Sequence, residues 1–308
     1  MIILFWSNPP KGSIGDWKNS EAVFTAHHAL PFLSHKRVGH KVVLLSYQKI
    51  RYVPEHIEVV DADTVIPIGI AYKAIKNGYN IAHVSDLLRF VYWFNNSGII
   101  TDCDVVALKK FPKFPFYSSY PAKKSGGVAP KWGKNNPPLY VKGGKWDGKA
   151  NMGFPMRPSR EMTKEMSKYI NKIIYKFDRP SNKLLGKAKR DENWIMDIAK
   201  ELNRKDLNAD TFEPLYFCPY PYWSKEKCST LVNREGQELF GYRLPTHEEI
   251  LKNSYGVSHW FESAFIENET TVGHWEKVPS DSLVAKEAEL ICGKDWRSIL
   301  HIESLKLI

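Results

Sequence analysis

The sequence predicts an α/β fold built on a mostly parallel sheet, and three observations predict it. Strand-length apolar runs alternate with helix-spaced apolar patterns across the first hundred residues. One of them, HKVVLLSY, holds an unbroken apolar run, as strands buried on both faces do. Gly, Pro and Asn clusters punctuate them, and strand–helix alternation of this kind argues a parallel sheet of the nucleotide-binding type. At 308 residues the chain can bury a large core, and it reads as one domain, 1–308, with an elaborated second half.

Taken in order, IILFW (2–6) is a first strand and residues 19–33 carry a helical pattern. HKVVLLSY (40–47) and IEVVDADTVIP (57–67) are further strands, and Ala71 to Lys76 form a short helix closed by Asn77-Gly78. Ser85 suits an N-cap, with Asp86 in the first turn, where a carboxylate complements the helix dipole. LLRFVYWF continues that helix until Asn95-Asn96-Ser97-Gly98 stops it. A strand then follows over 98–102. Past residue 110 the pattern changes to short strands and loops, with helices expected over 160–177 and 192–203. Short strands are expected at LYFCPY (215–220) and GVSHWF (256–261).

Composition excludes several classes. The chain has ten Trp and thirty Tyr plus Phe, as folded proteins do, and no apolar run long enough for a transmembrane helix. MIILFW is too short for a signal-peptide core and lacks a basic lead, so a cytoplasmic protein is expected, with an inner-membrane-face association left open. The four cysteines form no C-x-x-C pair, which indicates neither a zinc knuckle nor a disulfide framework. The net charge of +10 is uneven: ten lysines and one acid, Asp147, lie between Lys109 and Lys149. That segment is either a solvated basic surface or an anion-facing insertion.

The chemistry concentrates in SDLLRFVYWFNNSGIITDCDV (85–105), where an apolar strand runs straight into Asp102 and Asp104. Carboxylates so placed cost stability unless a cation meets them. Ten helical residues run about 15 Å out, and a strand over 98–102 returns by a similar distance at ~3.3 Å per residue. An antiparallel packing of the two brings Asp86 and Arg89, three apart on one helix face, back to Asp102. Asp102 and Asp104 point the same way if the strand persists. Three carboxylates and a guanidinium at the carboxyl edge of a sheet suit a hard divalent ion, Mg²⁺ or Mn²⁺, and a diphosphate. Asp61-Ala62-Asp63 repeats the triplet without that context and reads as a decoy.

The stretch resembles the sugar-binding region of the D-x-D glycosyltransferases of family 32, whose pattern is roughly S-D-x-x-R-x(8)-G-G-x-Y-x-D-x-D. Ser85, Asp86, Arg89, Gly98, Asp102 and Asp104 match; Ser97 replaces the first glycine and Ile100 the tyrosine. IILFWSNPP, ANMGFPMRPSRE and GVSHWFESAF resemble other segments of the family in the right order, with Ala264 in place of the last Trp of the third. The resemblance implies a GT-A fold, with residues 1–110 binding the sugar nucleotide and 111–308 forming the acceptor side. It implies metal-dependent, retaining transfer from a nucleotide-diphosphate sugar, UDP-linked by expectation. Asp104 would bind the metal directly, Asp102 would bridge metal and ribose, and His259 would be a third ligand or a diphosphate contact. Asp86 would bond donor hydroxyls, Arg89 would hold a donor oxygen bidentately, and Trp6 would stack on the base. Asn151 would face the sugar, and Trp260 and Ser263 would return to the diphosphate with His259.

A saccharide or glycolipid is the expected acceptor. The alternative is a bacteriophage-type transferase acting on hydroxylated DNA bases through the lysine-rich segment. A non-catalytic nucleic-acid-binding protein would use the same lysines with Phe111, Phe116, Tyr120, Trp132 and Trp146, but leaves the carboxylates unexplained. A glycosidase pair leaves Asp86 and Arg89 unexplained. Gly143 to Lys149 fits a P-loop, but Ala150 stands where the metal-binding hydroxyl belongs.

Overall fold

A computed structural model describes residues 1–8, 12–23, 28–51, 53–113, 116–119, 150–153, 160–182, 184–185, 210–212, 217, 233–239, 242–259, 275 and 278–300. The protein is α/β with a mostly parallel central sheet flanked by helices. Four strands make that sheet: β1 (Ile2–Phe5), β3 (Val42–Ser46), β5 (Ile57–Asp61) and β6 (Ile99–Ile100), in the order β5-β3-β1-β6 and all parallel. The chain moves outward from β1 to β3 to β5, then crosses to the other side of β1 to lay down β6. The order reverses between β1 and β6, and at the carboxyl end of such a switch point an open α/β sheet leaves a crevice.

The unbroken apolar runs follow from burial on both faces. Ile2, Leu4, Val42 and Leu44 pack into one core with the helix α2 (Ala29–Arg37). Ile3, Phe5, Val43 and Leu45 pack into a second core on the opposite face. That second core includes Trp17 of α1 (Ile14–Asn19) and side chains of α3 (Ile68–Lys76), α4 (Ile81–Asn96) and α5 (Arg160–Phe177). Alternate residues of β1 and of β3 serve two cores, so positions 2–5 and 42–45 are all apolar.

Several boundaries differ from the sequence expectation. Residues 19–33 hold the end of α1, a short strand β2 (Glu21–Val23) paired with β4 (Lys49–Arg51), and the start of α2. α4 begins four residues before Ser85: Asn80 is the N-cap, its side chain accepting from Ala82 N–H, and His83 Nδ1 accepts from Asn80 N–H at 3.1 Å. This is a capping box with histidine in the role Glu or Gln usually plays. Asp86 therefore sits in the second turn, beyond the reach of the dipole argument. α4 ends where expected, at Asn96.

β7 (Val105–Ala107) pairs antiparallel with β13 (Gly256–Ser258). Its C-terminal end is tied to α2, where Ser34 Oγ accepts from Ala107 N–H at 2.7 Å; past the strand, His40 Nε2, just beyond α2, accepts from Phe111 N–H at 3.0 Å. Beyond it, β9 (Ala150–Gly153) lies between β8 (Phe116–Ser119) and β6, pairing antiparallel with β8, while β10 (Asp210–Phe212) pairs with β8 in parallel. A small hairpin, β11 (Glu238–Leu239) and β12 (Tyr242–Arg243), precedes helix α6 (His247–Asn253). Helices α7 (Leu283–Cys292) and α8 (Trp296–Ile299) close the described chain, α7 packing on α2. The expected helix at 192–203 and most of the strand at 215–220 lie outside the described residues. Among the described residues, no helix is long and apolar enough to cross a membrane.

The α4–β6 turn carries a local misfit. Ser97, where the resemblance expects glycine, adopts φ 56°, ψ 162°, a region essentially reserved for glycine. Gly98 follows at φ 148°, and a Cβ there would stand 2.9 Å from Ile3 Cδ1 and 3.0 Å from Met1 O. Ser97→Gly is expected to stabilise the protein by about 1 kcal/mol: relief of about 1–3 kcal/mol of strain, less about 0.5–1 kcal/mol of added unfolded-chain entropy. Gly98→Ala is expected to do the opposite. Urea unfolding of both variants checks this, and a Ser97→Gly protein less stable than wild type would refute the strain.

Candidate functional site

The site is built at the β1–β6 switch point. β1 runs out through Trp6, whose N–H donates to Leu45 O at 3.0 Å. β6 runs out through Thr101, whose N–H donates to Ile3 O at 3.2 Å. Cys103 then turns inward, buried, its Sγ 3.3 Å from Phe5 O. That inward cysteine ties the aspartate segment to the end of β1, so Trp6 and the aspartates share one edge. Burial pushes the Cys103 thiol up, which keeps it protonated and inert.

Asp102–Val105 is a turn rather than the continuing strand the sequence suggested. Strand geometry stops at Ile100, and Val105 N–H donates to Asp102 O at 3.4 Å. The two-residue alternation argument for Asp102 and Asp104 therefore does not apply. Backbone bonds fix the segment instead, because Asp104 O accepts from His259 N–H at 3.1 Å, one step past the Ser258–Val105 pair.

Arg89 is the hub. Its guanidinium is buried and donates from Nη1 to Asp102 Oδ1 at 2.7 Å and to Thr101 O at 2.5 Å. From Nη2 it donates to Asp86 Oδ1 at 2.8 Å, and from Nε it reaches Ser85 O at 3.4 Å. Helix and strand edge thus meet as the distance arithmetic required, and Asp86, Arg89 and Asp102 form one cluster. Burial opposes charge on Arg89, but Asp102 and Asp86 outweigh it and hold its pKa above the ordinary value. Burial raises Asp86 to about 6; Arg89 opposes the rise and the neighbouring Asp102 adds to it. The expectation that Arg89 holds a donor oxygen bidentately fits this geometry poorly. At least four of its five N–H groups already serve protein acceptors, so its work here is to fix Asp86 and Asp102.

The other predicted residues fall as follows. Trp6 is partly buried, with its ring 4.4 Å from that of His28 in an edge-on contact. Asn151 lies on β9, beside β6. His259 Nε2 lies 2.6 Å from Glu287 Oε2, and both side chains are fully buried. Burial pushes the Glu287 carboxyl up while His259 pulls it down. Trp260, Ser263, the P-loop-like run at 143–149 and most of the lysine-rich segment lie outside the described residues.

Sequence reading missed Glu287 and the Ser7–Gln48 pair. Glu287 had a visible signal, a lone acid among Leu283, Val284, Ala285 and Ala288 on the buried face of α7. At the sheet edge, Gln48 Oε1 accepts from Ser7 Oγ at 2.8 Å and from Asn8 N–H at 2.7 Å, while Trp17 Nε1 donates to Ser7 Oγ. These bonds set the exit of β1. The decoy reading of Asp61 and Asp63 has a structural counterpart. Asp61 Oδ1 accepts from Asp63 N–H, and Asp63 takes Ile68 N–H on one oxygen and Lys18 at 2.7 Å on the other.

Among the described residues no group of three or more His, Cys, Asp and Glu side chains is arranged to enclose a metal ion. No protein-family model matches the chain, and no curated protein matches it.

Proposed function

We propose that this chain is a glycosyltransferase of GT-A type that moves a sugar from a nucleotide-diphosphate donor to a hydroxyl of a saccharide or glycolipid. One observation carries the reading: the Asp86–Arg89–Asp102 cluster stands at the carboxyl edge of a β5-β3-β1-β6 parallel sheet, beside Trp6, at the point where strand order reverses. A nucleotide fits such a crevice, and acidic groups at its rim suit a donor whose diphosphate arrives with a cation.

The donor set fits Mg²⁺ or Mn²⁺ in this setting. Asp102 commits only Oδ1 to Arg89 and its side chain is 41% exposed, so Oδ2 remains for a ligand. These ions are commonly held by one or two carboxylates plus substrate phosphates, so the lack of a three-ligand cluster is no obstacle. Asp104 and Asp102 would hold the ion. An ion held there would supply positive charge against the leaving diphosphate.

The chain's own residues do the positioning. Arg89 locks Asp102 in one rotamer and holds Asp86 toward the crevice. Asp86, 29% exposed, accepts a hydrogen bond from a donor sugar hydroxyl when ionised. Trp6 offers a ring face to the base. His259 and Asp104 stay in register through the β7–β13 pair.

The test is turnover of UDP-sugars by the purified chain with Mn²⁺ or Mg²⁺, abolished by a chelator and restored by the ion. Metal-independent turnover, or no donor binding at all, would overturn the reading. Asp86 adds a pH signature. Its folded pKa, about 6, exceeds the usual carboxylate value, so its contribution to stability is full at low pH and is lost as pH rises through about 6. A donor that bonds the ionised form reverses this. Thermal stabilisation by donor and Mn²⁺ is therefore expected to grow between about pH 5 and about pH 7. In Asp86→Asn that growth is expected to vanish; a pH-independent shift in the wild type would remove Asp86 from the donor site.

A further inference from the structure

A second surface, remote in sequence from the aspartate cluster, has a chemistry the proposed reaction does not use. On α5 the basic residues recur every four positions: Arg160, Lys164, Lys168, Lys172 and Lys176. A four-residue step traces a ridge along one side of a helix, and Lys164, Lys168 and Lys172 are exposed. In sequence, Glu161 and Glu165 stand three residues before Lys164 and Lys168. No such acid precedes Lys172 or Lys176.

At its C-terminal end the ridge joins two other elements. Asn77 Nδ2 donates to Phe177 O at 2.7 Å and Tyr79 OH donates to Lys176 O at 3.1 Å, which sets the end of α3 against the end of α5. Ser181 N–H donates to Asn77 O at 2.7 Å, which brings the 181–185 turn onto the same spot. Lys76 and Lys176 stand at the joined helix ends, with Arg179 just past α5 and Lys172 one turn earlier; the Lys76 ammonium lies 5.4 Å from the Tyr72 ring centroid. Lys73 is present too, paired with Asp178 at 2.7 Å.

Amid this charge stand three large apolar side chains that folding leaves outside. Tyr175 is 55% exposed, Leu184 58% and Leu185 51%. Arg179 lies over the Tyr175 ring, 4.4 Å from guanidinium to centroid, and donates to its hydroxyl. Lysines at helix ends alone would be a solvated surface complementing two dipoles. Adjacent leucines in water are not explained that way.

We propose that this face is a docking surface for an anionic lipid bilayer. Its cations would meet acidic headgroups while Leu184, Leu185 and Tyr175 enter the boundary with the acyl chains. Exposed leucines decide between this partner and a nucleic acid, which would reward stacking groups and cations but gain nothing from leucines. The proposal does not depend on the glycosyltransferase reading.

The test is co-sedimentation of the full-length chain with vesicles of phosphatidylcholine alone, and with vesicles containing about one-third phosphatidylserine. Binding is expected only to the second kind, weakening as salt rises. Lys76→Gln, Lys172→Gln and Arg179→Gln together are expected to weaken it about 10²-fold, at roughly fivefold for each basic residue. Leu184→Ser with Leu185→Ser is expected to weaken binding to the anionic vesicles by a similar factor at every salt concentration. Because both leucines are exposed, that variant should fold, and circular dichroism confirms it. Gln at Lys123, Lys124, Lys131 and Lys134 is the control and should leave vesicle binding in place. Equal binding to neutral vesicles, wild-type binding by the triple variant, or loss only in the control would overturn the proposal. So would a triple variant that loses duplex DNA binding but keeps the vesicles.

Discussion

Asp104→Asn is expected to reduce metal-dependent sugar transfer by about 10²- to 10³-fold, the loss typical when one fixed electrostatic group is removed from a reacting centre. Asparagine keeps the shape, and the segment is held by backbone bonds the substitution does not touch: Val105 N–H to Asp102 O, and His259 N–H to Asp104 O. The variant should therefore unfold within roughly two degrees of wild type. On the proposed reading it loses a carboxylate ligand of the ion, so donor affinity in the presence of Mn²⁺ should fall, while affinity without metal should hold or rise because one negative charge is gone. Asp61→Asn is the matched control. Its carboxylate caps a turn by accepting Asp63 N–H, a bond asparagine can also accept, and transfer should be unchanged. Full activity in a folded Asp104→Asn protein would refute the metal assignment. Equal losses in the two variants would show that place in the fold does not distinguish the two triplets.

The contrast between these triplets shows how much of the site was legible beforehand. Asp86, Arg89 and Asp102 could be brought together by arithmetic alone, because helix length and strand length nearly cancel over residues 85–102. That argument survives an error in the helix start, since it uses only the distance from Asp86 to the α4–β6 turn. The start itself was hidden: Asn80 and His83 form the cap, and histidine at the third position is no ordinary capping-box signal. The turn at Asp102–Val105 was hidden too, because its bond reaches a backbone carbonyl and leaves no mark in composition. Strand order is a property of how loops cross the sheet, so no local pattern announces that β6 lands beside β1. Glu287 is 28 residues from His259 in sequence, and only the packing of α7 makes the two neighbours. Ser97 is the reverse case. The resemblance expects glycine at that position, and the backbone there is one a serine adopts at a cost.

Arg89→Met is expected to have the largest effect on stability, about 2–4 kcal/mol at pH 8 or so. Removing one partner of a buried charge network typically costs about 3–5 kcal/mol, because the remaining charges lose compensation. The lower figure applies because Asp86 and Asp102 keep 29% and 41% of their side-chain surface in contact with solvent, and water screens what the guanidinium leaves behind. The sign of the pH dependence follows from Asp86. Arg89 opposes the rise of its pKa, whereas burial and Asp102 drive it, so without the guanidinium the pKa moves above about 6. A carboxyl raised further in the folded state adds stability at low pH and loses it as pH rises through the new value. The deficit of Arg89→Met should thus shrink at about pH 5, where Asp86 takes a proton, and be full at about pH 8, where two carboxylates face each other. Urea unfolding at both pH values measures the difference. Arg89→Lys should recover only part of the loss, since one ammonium cannot reach Asp86, Asp102, Thr101 O and Ser85 O together. An Arg89→Met protein as stable as wild type at the higher pH would mean the cluster does not hold α4 to the β6 edge. The placement of Asp86 and Asp102 at the crevice would then need another cause.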